Sequence, residues 1–305
     1  MALTDRQRGL ALGICAHMIW GLAALYWVQT EPVSSTDVLA HRALWSVPVV
    51  LCVLLYLGTL RQALAVFTQP RSLGIMFSAA VASASNWGIF LWAVTHGHAT
   101  EASLGYFLLP LLNVVIGLAL FGESLVGAQK IAVALATVAV LIQVAYLGEF
   151  PWVAVGLAMT FGFYSAVRKG VDVGSVEGLF IETLFMAPFA LAWLIYQGGG
   201  GLGQHGFKVD VFLLGAGLMT AIPLITYVSS SRLMALTDLG LVFYIGPTVQ
   251  LIVALLYLNE PFDWVQLAAF SLVWGGLVIV TADSFRLYRK RRGSLANPEE
   301  KEEFT

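Results

Sequence analysis

Residues 101–129 read EASLGYFLLPLLNVVIGLALFGESLVGAQ, and the skeleton of this stretch returns later as LGLVFYIGPTVQLIVALLYLNEPFDWVQ, residues 239–266. In the first copy Pro110 is followed by Glu123 and then Gln129; in the second, Pro247, Glu260 and Gln266 keep the same spacings at an offset of 137. Aromatic pairs precede each proline, Tyr106 and Phe107 in one copy and Phe243 and Tyr244 in the other. A second correspondence, Arg42 and Pro48 with Glu182 and Pro188, lies at an offset of 140. Self-similarity at a fixed offset is the mark of a repeated structural unit, here of roughly 140 residues.

The composition decides the solvent for that unit. Hydrophobic residues make up 59% of the 305 and charged residues 11%, with a mean hydropathy of +0.83, whereas soluble domains carry about 25% charged residues. Apolar runs of 18 or more recur along the chain, as membrane-crossing helices require. A net charge of -2 gives no basis for nucleic-acid binding. Cys15 and Cys52 lie inside apolar runs and read as packing residues, with no disulfide framework or metal site implied. The first apolar stretch follows Arg6 and Arg8 and runs about 20 residues, longer than the roughly 7–15 of a signal peptide and without its small-residue cleavage site. It is expected to remain as the first span.

Ten spans are expected, near residues 9–29, 38–57, 73–95, 102–121, 128–147, 151–168, 178–196, 210–231, 238–258 and 264–284. The glycine run 198–201 reads as a flexible loop, and residues 285–305 as a basic, then acidic, tail whose end is disordered. With the N-terminus inside, 14 of the 16 Lys and Arg fall on the cytoplasmic side, leaving only Arg42 and Lys208 opposite. The positive-inside rule then places both termini in the cytoplasm, which an even number of spans requires. Domains follow: a cytoplasmic segment 1–8, a first repeat 9–147, a second 148–284 and the tail 285–305. Five spans per unit is odd, so the second unit enters the membrane inverted. Inverted repeats recur in secondary transporters, with the substrate site between the repeats near mid-membrane.

Candidate cavity residues follow from the cost of polar groups in a membrane. Arg42 and Glu182, at matching repeat positions, are read as pathway groups, Arg42 for an anionic moiety and Glu182 for a cation or proton. An ion pair, or an Arg42 reaching to the outer headgroups, is the alternative. His41 beside Arg42 titrates in the physiological range. Asn86 and Asn113 need hydrogen-bond partners, from a substrate or from a neighbouring helix. Trp20, Trp45, Tyr106 and Tyr244 keep company with these positions and are the cavity-wall candidates. Pro110, Pro223 and Pro247 lie inside spans, where each removes a backbone donor, kinks its helix and offers a gating point. HGHATE, residues 96–101, has too few ligands for a zinc site, and Glu101 reads instead as a helix cap. No catalytic motif is found, and no cofactor is implied.

HRALWS (41–46), NWGIFLWAV (86–94), EASLGYFLLPLLNVVIG (101–117), IET (181–183) and YIGPT (244–248) closely resemble the RarD-type proteins, a branch of the EamA group in the drug/metabolite transporter superfamily. The resemblance covers about residues 8–284. It implies an all-α membrane protein of ten helices in two inverted EamA units around a central cavity, in the bacterial inner membrane, exporting small solutes or drugs. The expected function is secondary transport of a small amphipathic metabolite or drug by alternating access, driven by a proton gradient or by exchange. An anionic-metabolite exchanger and a lipid-handling or scaffold protein without flux are the alternatives. The expected partners are a small-molecule substrate, a coupling proton and membrane lipids.

Overall fold

In the computed structural model, residues 3–95, 98–257 and 264–296 are described. Every long element is a helix, and no strand occurs among the described residues. The helices are α1 (Asp5–Trp27), α2 (Ser35–Leu57), α3 (Leu60–Val66), α4 (Pro70–Thr95), α5 (Ala99–Leu120) and α6 (Gly127–Leu147), then α7 (Trp152–Gly170), α8 (Ser175–Tyr196), α9 (Phe207–Leu233), α10 (Leu236–Phe243), α11 (Ile245–Leu256) and α12 (Trp264–Ala296). Helices are the economical answer to an apolar solvent, because each satisfies its own backbone N–H and C=O groups.

Local chemistry sets the helix ends. Ser34 caps α2, its hydroxyl accepting from the Asp37 N–H at 3.1 Å, and Gly58 ends the helix in the left-handed region at φ 70°. The Gln129 side chain accepts from the Val126 N–H at 2.9 Å where α6 starts. The glycine run between α8 and α9 is a wound turn rather than a plain flexible linker. Six of its glycines, Gly198 to Gly201 with Gly203 and Gly206, have positive φ. It is pinned by His41 Nε2 donating to the Gly200 carbonyl at 3.1 Å and by the Gly203 N–H donating to Asp210 at 2.7 Å.

Two units are distinguished. One holds residues 1–123 and 150–262, with α1–α5 and α7–α11; the other holds residues 124–149 and 263–305, with α6 packed on α12. In the larger unit α1 packs on α9 and α11, α2 on α8 and α9, α7 on α4 and α5, α8 on α4, and α5 on α10. Several of these contacts depend on small residues. A Cβ on Gly217 of α9 would overlap the Trp45 carbonyl of α2, and one on Gly240 of α10 would stand 2.7 Å from the Pro110 carbonyl of α5. Close backbone approach of this kind is how apolar helices associate in lipid.

Among the described residues, five helical stretches are long and apolar enough to cross a membrane: 35–57, 70–90, 127–146, 175–196 and 207–233. Shorter apolar stretches lie at Leu104–Leu120, Leu236–Val249 and Leu267–Asp283. The expected ninth span is not one helix. It breaks at Tyr244 into α10 and α11, because Pro247 has no N–H to return to the Phe243 carbonyl. Pro110 and Pro223, by contrast, lie within helices that run on through them. The connection after α2 holds the unanticipated short α3. The last helix runs to Ala296, past the expected end of the tenth span. The expected disordered end of the tail, Glu260, His96, and the side chains of Glu101 and Gln266 lie outside the described residues. Cys15 and Cys52 are exposed on their helices, a correction to their reading as packing residues.

Candidate functional site

The larger unit encloses a cavity of about 530 Å³, with walls from α1, α2, α4, α5, α7, α9, α10 and α11. That volume falls in the usual range for small-molecule sites, roughly 300–1,000 Å³. At one end the wall includes Glu31 and Ser35, exposed residues where α1 turns into α2. Inward it is aromatic, with Trp20, Trp27, Trp87, Phe90, Tyr106, Phe161 and Phe243.

Arg42 supplies the charge. Its guanidinium carbon lies 4.9 Å from the centre of the Trp27 ring and 5.0 Å from that of Trp87, held between two aromatic faces. Cation–π contact with tryptophan is strongest where water is scarce. Arg42 Nε donates to the Thr220 hydroxyl at 3.2 Å, and that hydroxyl donates onward to the Ala216 carbonyl at 2.9 Å. Among the described residues no carboxylate pairs with Arg42. A guanidinium fixed in direction but lacking an acid is suited to a bidentate anionic group.

Of the other sequence candidates, Trp20, Asn86, Tyr106 and Pro247 line the same cavity. The Asn86 amide N–H₂ is spent on the Leu157 carbonyl at 2.9 Å and the Thr160 hydroxyl at 3.0 Å, which ties α4 to α7. His41, Trp45, Asn113 and Tyr244 are not in the wall. His41 Nδ1 accepts from the Trp45 indole of its own helix at 3.0 Å while its Nε2 holds Gly200 of the α8–α9 turn, so both ring nitrogens are committed. Asn113 donates to the Tyr227 hydroxyl at 3.4 Å, and Tyr244 donates to the Phe107 carbonyl at 3.2 Å. Pro110 and Pro223 are buried and do not line the wall, though their neighbours Leu109 and Leu224 do.

Glu182 departs furthest from its expected place. It is 0% exposed and pairs with Arg168 at 3.0 Å, while the Tyr164 hydroxyl donates to its other oxygen at 3.2 Å. Arg168 also donates to the carbonyls of Gly174 and Ser175, both at 3.1 Å, and packs against Gly178, where any Cβ would overlap it. The physical reason is the cost of burying one charge alone, which a cation on the adjacent helix offsets. The repeat offset carried a signal for this pair. Trp27 and Arg42 are 15 apart, and Arg168 and Glu182 are 14 apart, at offsets of 141 and 140.

Further ionic contacts gather at the same end of the unit. Lys169 bonds the carbonyls of Ser231 and Met234 and pairs with Glu123 at 3.2 Å. Glu123 accepts from the N–H groups of Leu236 and Thr237, both at 2.9 Å, where α10 begins. Arg232 donates to the carbonyls of Val171 and Val173, and Arg6 pairs with Asp238 at 3.0 Å. Burial pushes the Glu123 carboxyl up, but the Thr237 and Leu236 N–H groups and the Lys169 ammonium outweigh it and hold the carboxyl below its ordinary value. Cations on helix C-terminal carbonyls and an anion on a helix N-terminus follow the helix dipole.

The comparisons with known proteins accord with this architecture. Residues 7–145 match the EamA-like transporter family. The chain is 38% identical to Protein RarD of Streptomyces exfoliatus, covering 96% of this chain and 94% of that one. It is 37% identical to a Vibrio cholerae protein named an uncharacterized transporter, over 92% and 94%. With Protein RarD of Escherichia coli it shares 34% identity, over 96% and 100%. A solved crystal structure superposes with a TM-score of 0.70 at 19% identity, covering 90% of this chain and 97% of that one, a likeness of fold. The chain belongs to the EamA-like transporter family, as a RarD-type protein.

Proposed function

We propose that this protein is a secondary transporter that moves a small amphipathic solute across the bacterial inner membrane by alternating access, in the export direction. One observation carries the reading: an aromatic cavity with Arg42 fixed in its wall and, among the described residues, no carboxylate ion-paired with it. Aromatic walls hold the apolar body of a solute, and a fixed cation orients its polar end.

Two inverted five-span units are part of this reading. In span order, α1, α2, α4, α5 and α6 answer to α7, α8, α9, α10 with α11, and α12. The helix pairs are consistent with that exchange. Contact of α1 with α9 answers to α7 with α4, α2 with α9 to α8 with α4, and α5 with α7 to α11 with α1. The pairs α2 with α8, α5 with α10 and α6 with α12 answer to themselves. We place both termini in the cytoplasm, on the charge bias of the loops. The cavity then opens outward, and the Arg168–Glu182 pair with the Glu123–Lys169 cluster closes the cytoplasmic end.

The experiment is flux in proteoliposomes after a thermal-shift screen of metabolites and antibiotics at two pH values, since a ligand that binds only the folded state raises the midpoint. A hit whose binding and flux disappear in Arg42→Ala supports the reading. Flux that persists unchanged in that variant removes Arg42 from the pathway. A second reading, exchange of anionic metabolites, is favoured by the lack of a carboxylate partner for Arg42 among the described residues. Counter-flow of a preloaded anion, independent of a proton gradient, would select it.

A further inference from the structure

The inner part of the cavity wall holds a polar atom that the sequence does not single out. His17 is 1% exposed, on α1, and lines the cavity. Its ring lies edge-on to Trp20 at 5.4 Å, Phe243 at 4.7 Å and Tyr227 at 5.9 Å between centroids. Nδ1 lies 2.6 Å from the Gly13 carbonyl, which can only accept, so Nδ1 carries the hydrogen. In the neutral imidazole Nε2 then presents a lone pair. That nitrogen is buried and has no hydrogen-bond partner. A Cβ on Gly246, another wall residue, would lie 3.5 Å from the His17 carbonyl and 3.8 Å from its Cδ2, so the two residues are neighbours in the wall.

His17 and Trp27, the ring that holds Arg42, are ten residues apart on α1, about 15 Å along the helix axis. The cavity therefore presents a cation toward its exposed end and a hydrogen-bond acceptor deeper in, with aromatic rings between.

We propose that His17 is a specificity-determining contact: its Nε2 accepts a hydrogen bond from an O–H or N–H at the inner end of the solute, whose anionic or acceptor end meets Arg42. The solute class is an elongated aromatic amphiphile with a donor at one end and a carboxylate-like group at the other. This rests on the transport reading above and extends it to a residue outside the charged pair. Sites with a directed hydrogen-bonding group discriminate between solutes that have and lack its partner far better than apolar walls do.

The test uses the full-length protein in lipid nanodiscs and two rigid probes. One is hydroxybiphenylcarboxylate with its groups at opposite para positions, and the other is the same molecule without the hydroxyl. The wild-type protein is expected to bind the hydroxylated probe about tenfold more tightly, the effect of roughly one hydrogen bond, and His17→Phe to bind the two alike. In wild-type protein, which does not depend on the variant folding, the nitrogen-15 signal of His17 Nε2 is expected to move with the hydroxylated probe only. Equal binding of the probes by wild type, or a preference that survives in His17→Phe, overturns the assignment. If Arg42→Ala still abolishes binding of both, the transport reading stands without it. Binding of neither probe to wild type overturns the assignment and its solute class, while the transport reading stands or falls on its own flux test.

Discussion

Arg168 and Glu182 meet at 3.0 Å with side chains 0% and 1% exposed, linking the last turn of α7 to the second turn of α8. The contact falls outside hydrogen-bond geometry, so its basis is charge against charge. Neither residue has water to fall back on. Removing one partner leaves an uncompensated buried charge, at a cost of about 3–5 kcal/mol. Arg168→Met is therefore expected to lower the thermal midpoint of the detergent-purified protein strongly. The double variant Arg168→Met with Glu182→Leu should recover most of the loss. A double variant no better than the single one would mean that the pair is not the relevant term.

Glu123 ties the end of α5 to the start of α10 and to Lys169. A carboxyl held below its ordinary 4.5 binds protons more weakly when folded than when unfolded. It therefore adds stability above that value, and the contribution is lost as pH falls through the folded value. Thermal midpoints of wild type and Glu123→Gln should differ most near about pH 7 and converge toward about pH 3. A constant gap across that range would dissociate the effect from titration.

The α2–α9 contact should respond to a single methyl group. At Gly217 a Cβ would collide with the backbone of Trp45 and Ser46. Gly217→Ala is expected to cost about 1–3 kcal/mol, as overpacking does. At Gly74 in α4 an added methyl would meet nothing within 4 Å, and Gly74→Ala should gain roughly 0.5–1 kcal/mol from helix propensity alone. Chemical denaturation of the two variants side by side separates packing from propensity.

Arg42→Lys is not a conservative change at this site. An ammonium keeps the charge but not the flat guanidinium held between Trp27 and Trp87, nor its fork of donors. Solute binding is expected to fall by about tenfold or more, with the thermal midpoint of the empty protein little changed. Calorimetric titration with the first solute found by screening checks this, and unaltered affinity would reduce Arg42 to a source of field.

Much of this molecule was legible in the chain itself. Hydropathy and length called for membrane helices because an apolar solvent leaves the backbone no other partner. Pro247 called for a kink within one span, and the structure goes further, ending one helix at Phe243 and starting the next at Ile245. The cost of a charge in lipid singled out Arg42 and Glu182 before any contact was known. Arg42, Trp20, Asn86 and Tyr106 do share one cavity wall.

Which polar group is satisfied, and by what, was decided only by the tertiary structure. Glu182 and Arg42 look equivalent by repeat position, yet Arg168 closes over one and two tryptophans flank the other. His41 reads as a titrating pathway group, but its ring is consumed by Trp45 and Gly200, while His17, read only as part of the first span, keeps a nitrogen without a hydrogen-bond partner in the wall. Sequence periodicity reports the face a residue occupies within its own helix. Charge pairing and hydrogen-bond satisfaction depend on which neighbouring helix arrives at that face, and that is a property of the packed bundle.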